Sequence, residues 1–367
     1  MTYRSIETLN YEAQLIEKSN KIRQSFSEVG IEDFRVFPSE PVNYRMRAEF
    51  RVWHEGDDLY YIMFNPETRE KIRKDDFAPG SKLINSLMQG VIGHVIDKPL
   101  LRHKLFQVDF LTTKSNQAIV SLLYHRPLEE EWQAEAKELH GYLQSFADVV
   151  HLIGRARKQK VVFGSESVIE NVQVNGQTYQ SIQTENSFTQ PNSGINEKMI
   201  EWVSEQAGQN NHDLLELYCG NGNFTLPLAG QFNSVLATEI SKGSVAAARE
   251  GAQLNGIENV TVVRMSAEEF SAALSGELES KRAADADIHS FDCKTVLVDP
   301  PRAGLDKDTL KLVSQYQRII YISCNPSTLI DNIKAISATH KVTAAAMFDQ
   351  FPYTDHIETG VVLEKHN

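Results

Sequence analysis

The sequence predicts an α/β protein in two parts. An α+β domain covers residues 1–175, and a doubly wound, Rossmann-like sheet with an antiparallel final strand covers 176–367. Three observations carry this. Residues 44–54 alternate strictly, with Arg45, Arg47, Glu49 and Arg51 opposite Met46, Ala48, Phe50 and Val52, as in a strand with one buried face. From Asp213 onward, short apolar runs alternate with helical patterns, the rhythm of a parallel sheet with crossover helices. The last two apolar runs, 342–348 and 358–364, have only a short Pro-containing turn between them, which points to an antiparallel pair at the end of the sheet.

Taken in order, a helical lead-in spans 6–29. Strand-like runs follow at 44–54, 59–64, 105–112, 118–125 and 149–153, with helical segments near 82–96 and 129–146, an order that fits an antiparallel α+β domain. Arg155, Arg157, Lys158 and Lys160 close this half with a basic cluster. In the second part the strand-like runs are 213–218, 234–239, 259–264, 295–299 and 318–323. The charged, Ala-rich stretch 276–289 reads as a surface insertion.

A chain of 367 residues with 41% hydrophobic residues has enough apolar mass for two modest cores. No apolar run approaches the roughly 20 residues of a spanning helix. The N-terminus carries Glu7, Glu12 and Glu17, unlike a signal peptide. A cytoplasmic protein without a membrane partner is expected. Cys219, Cys293 and Cys324 have neither zinc nor cluster spacing, so no metal and no iron–sulfur cluster is expected, and a working thiol is. The net charge of −12 excludes a generally basic nucleic-acid binder. Residues 1–160 hold 23 Lys+Arg against 23 Asp+Glu, whereas 161–367 hold 14 against 26, so the first half retains the means to present a basic face.

The chemistry-bearing motifs fall at strand ends of the second part. Leu217-Tyr218-Cys219-Gly220-Asn221-Gly222-Asn223-Phe224 places two glycines between a buried strand and a helix start, where bare backbone lets a nucleotide approach. Glu239 ends the next strand, positioned to accept both hydroxyls of a ribose. A phosphate-binding loop would carry a third glycine where Thr225 stands, so the pattern suits S-adenosyl-L-methionine, which has no phosphates, better than a dinucleotide. Asp299-Pro300-Pro301-Arg302 follows another strand, the prolines stiffening its exit. The Asp299 carboxylate can accept from a pyrimidine N–H or from an amine of the methyl donor. Ser323-Cys324-Asn325-Pro326 ends the next strand, with Pro326 suited to begin a helix whose dipole favours a thiolate. Such a thiolate, adding to carbon 6 of uracil, makes carbon 5 reactive, and a general base must then remove the carbon 5 proton. Both His356 and Glu358 qualify by chemistry. Cys219 and Cys293 read as core cysteines.

In order along the chain stand Gln190 in Ser187-Phe188-Thr189-Gln190-Pro191-Asn192, the Gly-Asn-Gly-Asn-Phe loop, Asp-Pro-Pro-Arg, Ser-Cys-Asn-Pro and Phe351-Pro352-Tyr353-Thr354-Asp355-His356-Ile357-Glu358. With this set, and with Tyr44-Arg45-Met46-Arg47-Ala48-Glu49-Phe50-Arg51, nearly the whole chain resembles the RNA uracil-5 methyltransferases, most closely those acting on bacterial tRNA. The resemblance implies a methyltransferase-type catalytic sheet preceded by an RNA-binding domain. It implies Cys324 as nucleophile and Glu358 as proton acceptor. It also implies S-adenosylmethionine contacts at Gln190, Tyr218, Asn223, Glu239 and Asp299, base flipping, and the T-loop uridine of tRNA as target, giving 5-methyluridine. Relatives acting on ribosomal RNA often add a barrel or an iron–sulfur cluster, whose cysteines are missing here; that favours tRNA. RNA contact is then expected from Arg45, Arg47 and Arg51, from Phe106 by stacking, and from the basic stretch 155–160. The partner is the T arm of tRNA, with other RNAs bearing a T-loop-like hairpin as further candidates. Three alternatives stay open: an RNA-folding helper with secondary catalysis, a uracil-5 methyltransferase of another RNA, and a cytosine-5 enzyme, which would usually show two neighbouring motif cysteines.

Overall fold

The structure, a computed structural model, describes residues 11–65 and 67–366. The lead-in helix runs over Tyr11–Ser27, and the expected helical residues 6–10 lie outside the described part. A three-residue strand, β1 (Arg35–Phe37), follows. The sequence reading puts this segment at the head of the first domain, but it packs elsewhere. Ile22 and Phe26, one helical turn apart, are buried in the same core as Leu217, Leu236 and Val298. An apolar stripe states that a helix has a partner and leaves that partner's identity to the tertiary fold.

The first sheet contains β2 (Arg47–Glu55), β3 (Asp58–Phe64), β4 (Lys71–Lys74), β5 (Leu105–Thr112), β6 (Gln117–Tyr124), β7 (Val149–Ala156) and β8 (Gln159–Phe163), in the order β4-β3-β2-β5-β6-β7-β8. Neighbours are antiparallel except β6 and β7, which run parallel because the helix Glu130–Leu143 carries the chain back between them. That helix and Lys82–Val95 cover one face, where Met88, Val91, Trp132 and Leu139 meet Phe50, Phe110, Val120 and Leu152. The alternation that begins at Tyr44 becomes regular pairing only at Arg47. Arg45 instead forms isolated bridges to Gly80 and Asn192.

A hairpin, β9 (Ser167–Val174) with β10 (Gln177–Thr184), links the two parts. Its turn is Asn175-Gly176, with φ of 50° and 79°, the paired positive values that suit a two-residue hairpin loop to the twist of its strands.

The second sheet contains β11 (Asp213–Leu217), β12 (Val235–Thr238), β13 (Val260–Val263), β14 (Cys293–Val298), β15 (Arg318–Ser323), β16 (His340–Phe348) and β17 (Glu358–Lys365), in the order β1-β16-β17-β15-β14-β11-β12-β13. Strands β11 to β15 are mutually parallel, and β17 inserts antiparallel between β15 and β16. Both faces are covered, so successive residues alternate between two cores. Leu214, Leu297 and Ile320 face one, and Leu215, Val296 and Ile319 the other. This is why the strands read as continuous apolar runs. The stretch 276–289 is only partly a surface insertion. Its helix Lys281–Asp285 turns Ala283 inward, and Ile288 follows it into the core.

Candidate active site

Parallel strands end on one edge of their sheet, and the residues just beyond β11, β12, β14 and β15 are Tyr218, Glu239, Asp299 and Cys324. Because β17 runs the other way, its first residue, Glu358, lies on that same edge. The register pairs Ser323 with Thr359, whose hydroxyl donates to the Ser323 carbonyl at 3.1 Å. A cavity of about 770 Å³ opens there, and Gln190, Tyr218, Asn223, Glu239, Asp299, Cys324 and Glu358 all line it. The seven residues singled out in the catalytic half are thus brought together.

The glycine loop is shaped by left-handed backbone at Tyr218 (φ 64°), Gly220 (φ 55°) and Gly222 (φ 85°). A Cβ on Gly222 would meet Leu226 at 3.2 Å and Ala248 at 3.4 Å, so close packing adds to the conformational demand there. Glu239 ties the loop to β12. Its two oxygens accept from the Gly220 N–H at 3.1 Å and the Ser241 N–H at 2.6 Å, leaving lone pairs for a ribose. Asn223 and Asn196 exchange reciprocal amide bonds of 2.8 Å. Gln190 accepts from the buried Gln350 amide at 2.6 Å. Thr225, at the place of a third glycine, donates to the buried Glu216 at 2.6 Å.

The lining fits a cationic sulfonium nucleoside better than a pyrophosphate. Among the described residues around the cavity are six carboxyls, those of Glu170, Glu197, Glu239, Glu268, Asp299 and Glu358, and a single cation, Arg302. Glu239 suits the ribose, while Asp299 and the Asn223 amide offer partners to an amino-acid end.

The electrostatics of Cys324 and its neighbours differ from the sequence expectation. The helix Pro326–Ile336 does begin beside Cys324, but the Asn325 side chain already accepts from the Ser327 N–H at its first turn. Burial, then the carboxyls of Glu358 and Asp299, push the Cys324 thiol up to about 11, with Arg302 opposing them. Burial, reinforced by Asp299, raises Glu358 well above the usual carboxylate range, and burial lifts Asp299 to about 7. His356 is not among the lining residues. Burial and the nearby Arg302 lower its pKa, and its Nδ1 lies 3.4 Å from that guanidinium. Cys219 is buried, and burial lifts the half-buried Cys293 to about 12.

Residues 10–366 match the family model described as tRNA (Uracil-5-)-methyltransferase. The chain belongs to this family. It is 70% identical over 365 residues to the tRNA/tmRNA (uracil-C(5))-methyltransferase of Idiomarina loihiensis, with both chains covered completely. The enzymes of the same name from Shewanella baltica and Colwellia psychrerythraea are 52% and 53% identical, the first covering all of both chains and the second 97% of this chain and 98% of its own. The solved Pyrococcus abyssi tRNA (uracil-54, C5)-methyltransferase in complex with S-adenosyl-L-homocysteine superimposes with a TM-score of 0.72 at 20% identity, covering 98% of this chain and 84% of that one, which establishes the shared fold. As a tRNA (uracil-5-)-methyltransferase, the protein is an S-adenosylmethionine-dependent enzyme.

In this methyltransferase the basic residues of the first half divide. Arg51 is exposed and sits 5.2 Å over the Phe106 ring, which in turn stacks on His125 at 3.8 Å. Arg45 and Arg47 are half-buried and reach the second half instead. Arg45 lies over Phe351 at 5.6 Å, and Arg47 donates to the Ser187 carbonyl. Arg155 pairs with Glu185. Three residues escaped sequence reasoning. His125 follows β6 and lies beside Phe106, a position readable only once the register is known. Phe188, 76% exposed yet lining the cavity, and Arg302 stood inside quoted motifs without being assigned a part. The Asn-Gly dipeptide could have announced the β9–β10 hairpin, which contributes Glu170, Ser181 and Gln183 to the cavity.

Proposed function

We propose that this enzyme converts the T-loop uridine of tRNA to 5-methyluridine through a covalent adduct between Cys324 and carbon 6 of the flipped base. The observation carrying this reading is that the partly exposed thiol of Cys324 and the buried carboxyl of Glu358 border the same acid-lined cavity as the glycine loop. The thiol first sheds its proton to solvent. Its sulfur electron pair then forms the S–C6 bond while the C5=C6 pair moves toward O4, leaving an enolate. Bound S-adenosylmethionine would supply the methyl group to the nucleophilic carbon 5, the pair of the broken S–CH3 bond staying on sulfur as S-adenosylhomocysteine leaves. The Glu358 carboxylate removes the carbon 5 proton, the freed pair restores C5=C6, and the S–C6 bond breaks, returning Cys324 as a thiolate.

In this reading Glu239 holds the ribose of the methyl donor, while Gln190, Tyr218, Asn223 and Asp299 complete its site. The reading divides the chain into an RNA-recognition unit over 1–175 and a catalytic unit over 176–367, with the helix Tyr11–Ser27 packed on the latter. The Arg51, Phe106 and His125 group suits stacking against loop bases, and Arg45 and Arg47 add positive charge where the two units meet. The names of the relatives extend the candidate substrates to tmRNA, and that of the Pyrococcus abyssi enzyme specifies uracil 54.

The test is to incubate the protein with labelled S-adenosylmethionine and unmodified tRNA and to map the methylated nucleotide. Label is expected on the T-loop uridine. Cys324→Ala should abolish both product and adduct, and Glu358→Gln should let the adduct accumulate. Label on cytidine, or an adduct formed without Cys324, would refute the reading.

A further inference from the structure

The segment between β16 and β17, residues 349–357, delivers Glu358 to the cavity while containing no helix or strand of its own. The Tyr44 hydroxyl holds the Pro352 carbonyl at 3.1 Å and the Asn192 amide the Gln350 carbonyl at 3.3 Å, and further anchoring of the segment comes from the opposite end of the chain. Lys18, in the helix Tyr11–Ser27, is 3% exposed. Its ammonium donates to Asp349 Oδ1 at 2.6 Å, to the Phe351 carbonyl at 2.8 Å and to the His356 carbonyl at 3.0 Å. An ammonium has three donors, and these acceptors use all of them. Asp349 is fully buried, and its other oxygen accepts from the Tyr11 hydroxyl at 2.8 Å. Gln14 Oε1, from the same helix, accepts from the N–H of Tyr353, which holds a left-handed φ of 62°.

A buried ion pair by itself would involve Asp349 alone. Here two carbonyls five residues apart converge on the same Nζ, which ties the two ends of residues 351–356 together just ahead of β17. Cys324 lies on a different connection, between β15 and the helix Pro326–Ile336, and receives no bond from Lys18.

We infer that Lys18 is a positioning residue: by gathering Asp349, Phe351 and His356 around one ammonium, it sets where the Glu358 carboxyl meets carbon 5 and thereby governs adduct resolution rather than adduct formation. This rests on the proposed role of Glu358. A misplacement of a catalytic group by about 1 Å lowers rates by up to about a hundredfold, which is the scale expected for the resolving step.

The test uses the full chain in single-turnover reactions with tRNA and labelled methyl donor, following the covalent adduct on denaturing gels. Lys18→Met, Lys18→Arg and the charge-free double variant Lys18→Met with Asp349→Asn are compared with Glu358→Gln. Lys18→Met and the double variant should form adduct at close to the wild-type rate and resolve it about tenfold to a hundredfold more slowly. Lys18→Arg should recover part of the loss. Wild-type resolution in the soluble variants overturns the inference. A parallel fall in formation and resolution does so too, as does failure of every Lys18 variant to fold while Glu358→Gln folds, since either would make Lys18 a residue of general stability. Absence of adduct accumulation in Glu358→Gln would instead strike the role of Glu358 itself.

Discussion

Replacing Glu216 by Gln isolates the energetic burden of a carboxyl beneath the active site. Glu216 lies on β11, is 2% exposed and accepts from Thr225 at 2.6 Å. Burial, reinforced by Asp299 and partly offset by the Thr225 bond, pushes it up to about 8 from an ordinary 4.5. Below pH 4.5 the group is protonated in both folded and unfolded chains, and its contribution to stability is fully present. As pH rises, the unfolded chain releases the proton while the folded protein keeps it, so stability is lost until the folded group titrates near 8. With each tenfold change in proton affinity worth about 1.4 kcal/mol, the loss is about 3 kcal/mol at pH 7 and levels off near 5 kcal/mol. The Gln amide keeps an acceptor for Thr225 and does not titrate. Glu216→Gln should therefore exceed the wild type by about 1 kcal/mol at pH 5.5 and about 4 kcal/mol at pH 8, a gap of several degrees in thermal midpoint at the higher pH. Paired thermal melts at the two pH values measure it. Parallel pH dependence in the two proteins, with a constant offset, would refute the argument.

Three further outcomes are expected. The proposed mechanism needs Cys324 and Glu358 in their deprotonated forms, and both titrate above their usual ranges, so kcat/KM for RNA should climb from pH 6 to 9; a plateau by pH 6.5 would contradict this. Arg302 is the cation that opposes both shifts, so Arg302→Gln should move the profile to higher pH and slow adduct formation at pH 7.5 by about tenfold, read on denaturing gels. Phe106→Ala should weaken tRNA binding by about 1 to 3 kcal/mol in a filter or polarisation assay while leaving the thermal midpoint almost unchanged, the ring being half-buried at the surface.

The sequence determined, by itself, whatever local chemistry encodes. Buried parallel strands announce themselves as apolar runs, and their carboxyl ends share an edge by topology, so Glu239, Asp299 and Cys324 were legible from their strand-end positions, whereas Tyr218 came from the family resemblance alone. The period of two in β2 likewise marked Ala48, Phe50 and Val52 as core. Tertiary structure decided what depends on distant partners. It assigned the helix Tyr11–Ser27 to the second core, turned Arg45 and Arg47 toward the second half, and left Glu358 rather than His356 beside Cys324 in the cavity wall. The thiol shows the division most directly. Its own motif, read locally, favours a thiolate through the helix that follows. The folded protein favours the thiol, because desolvation and the carboxyls of Glu358 and Asp299 act through space, and neither is encoded in the residues adjacent to Cys324.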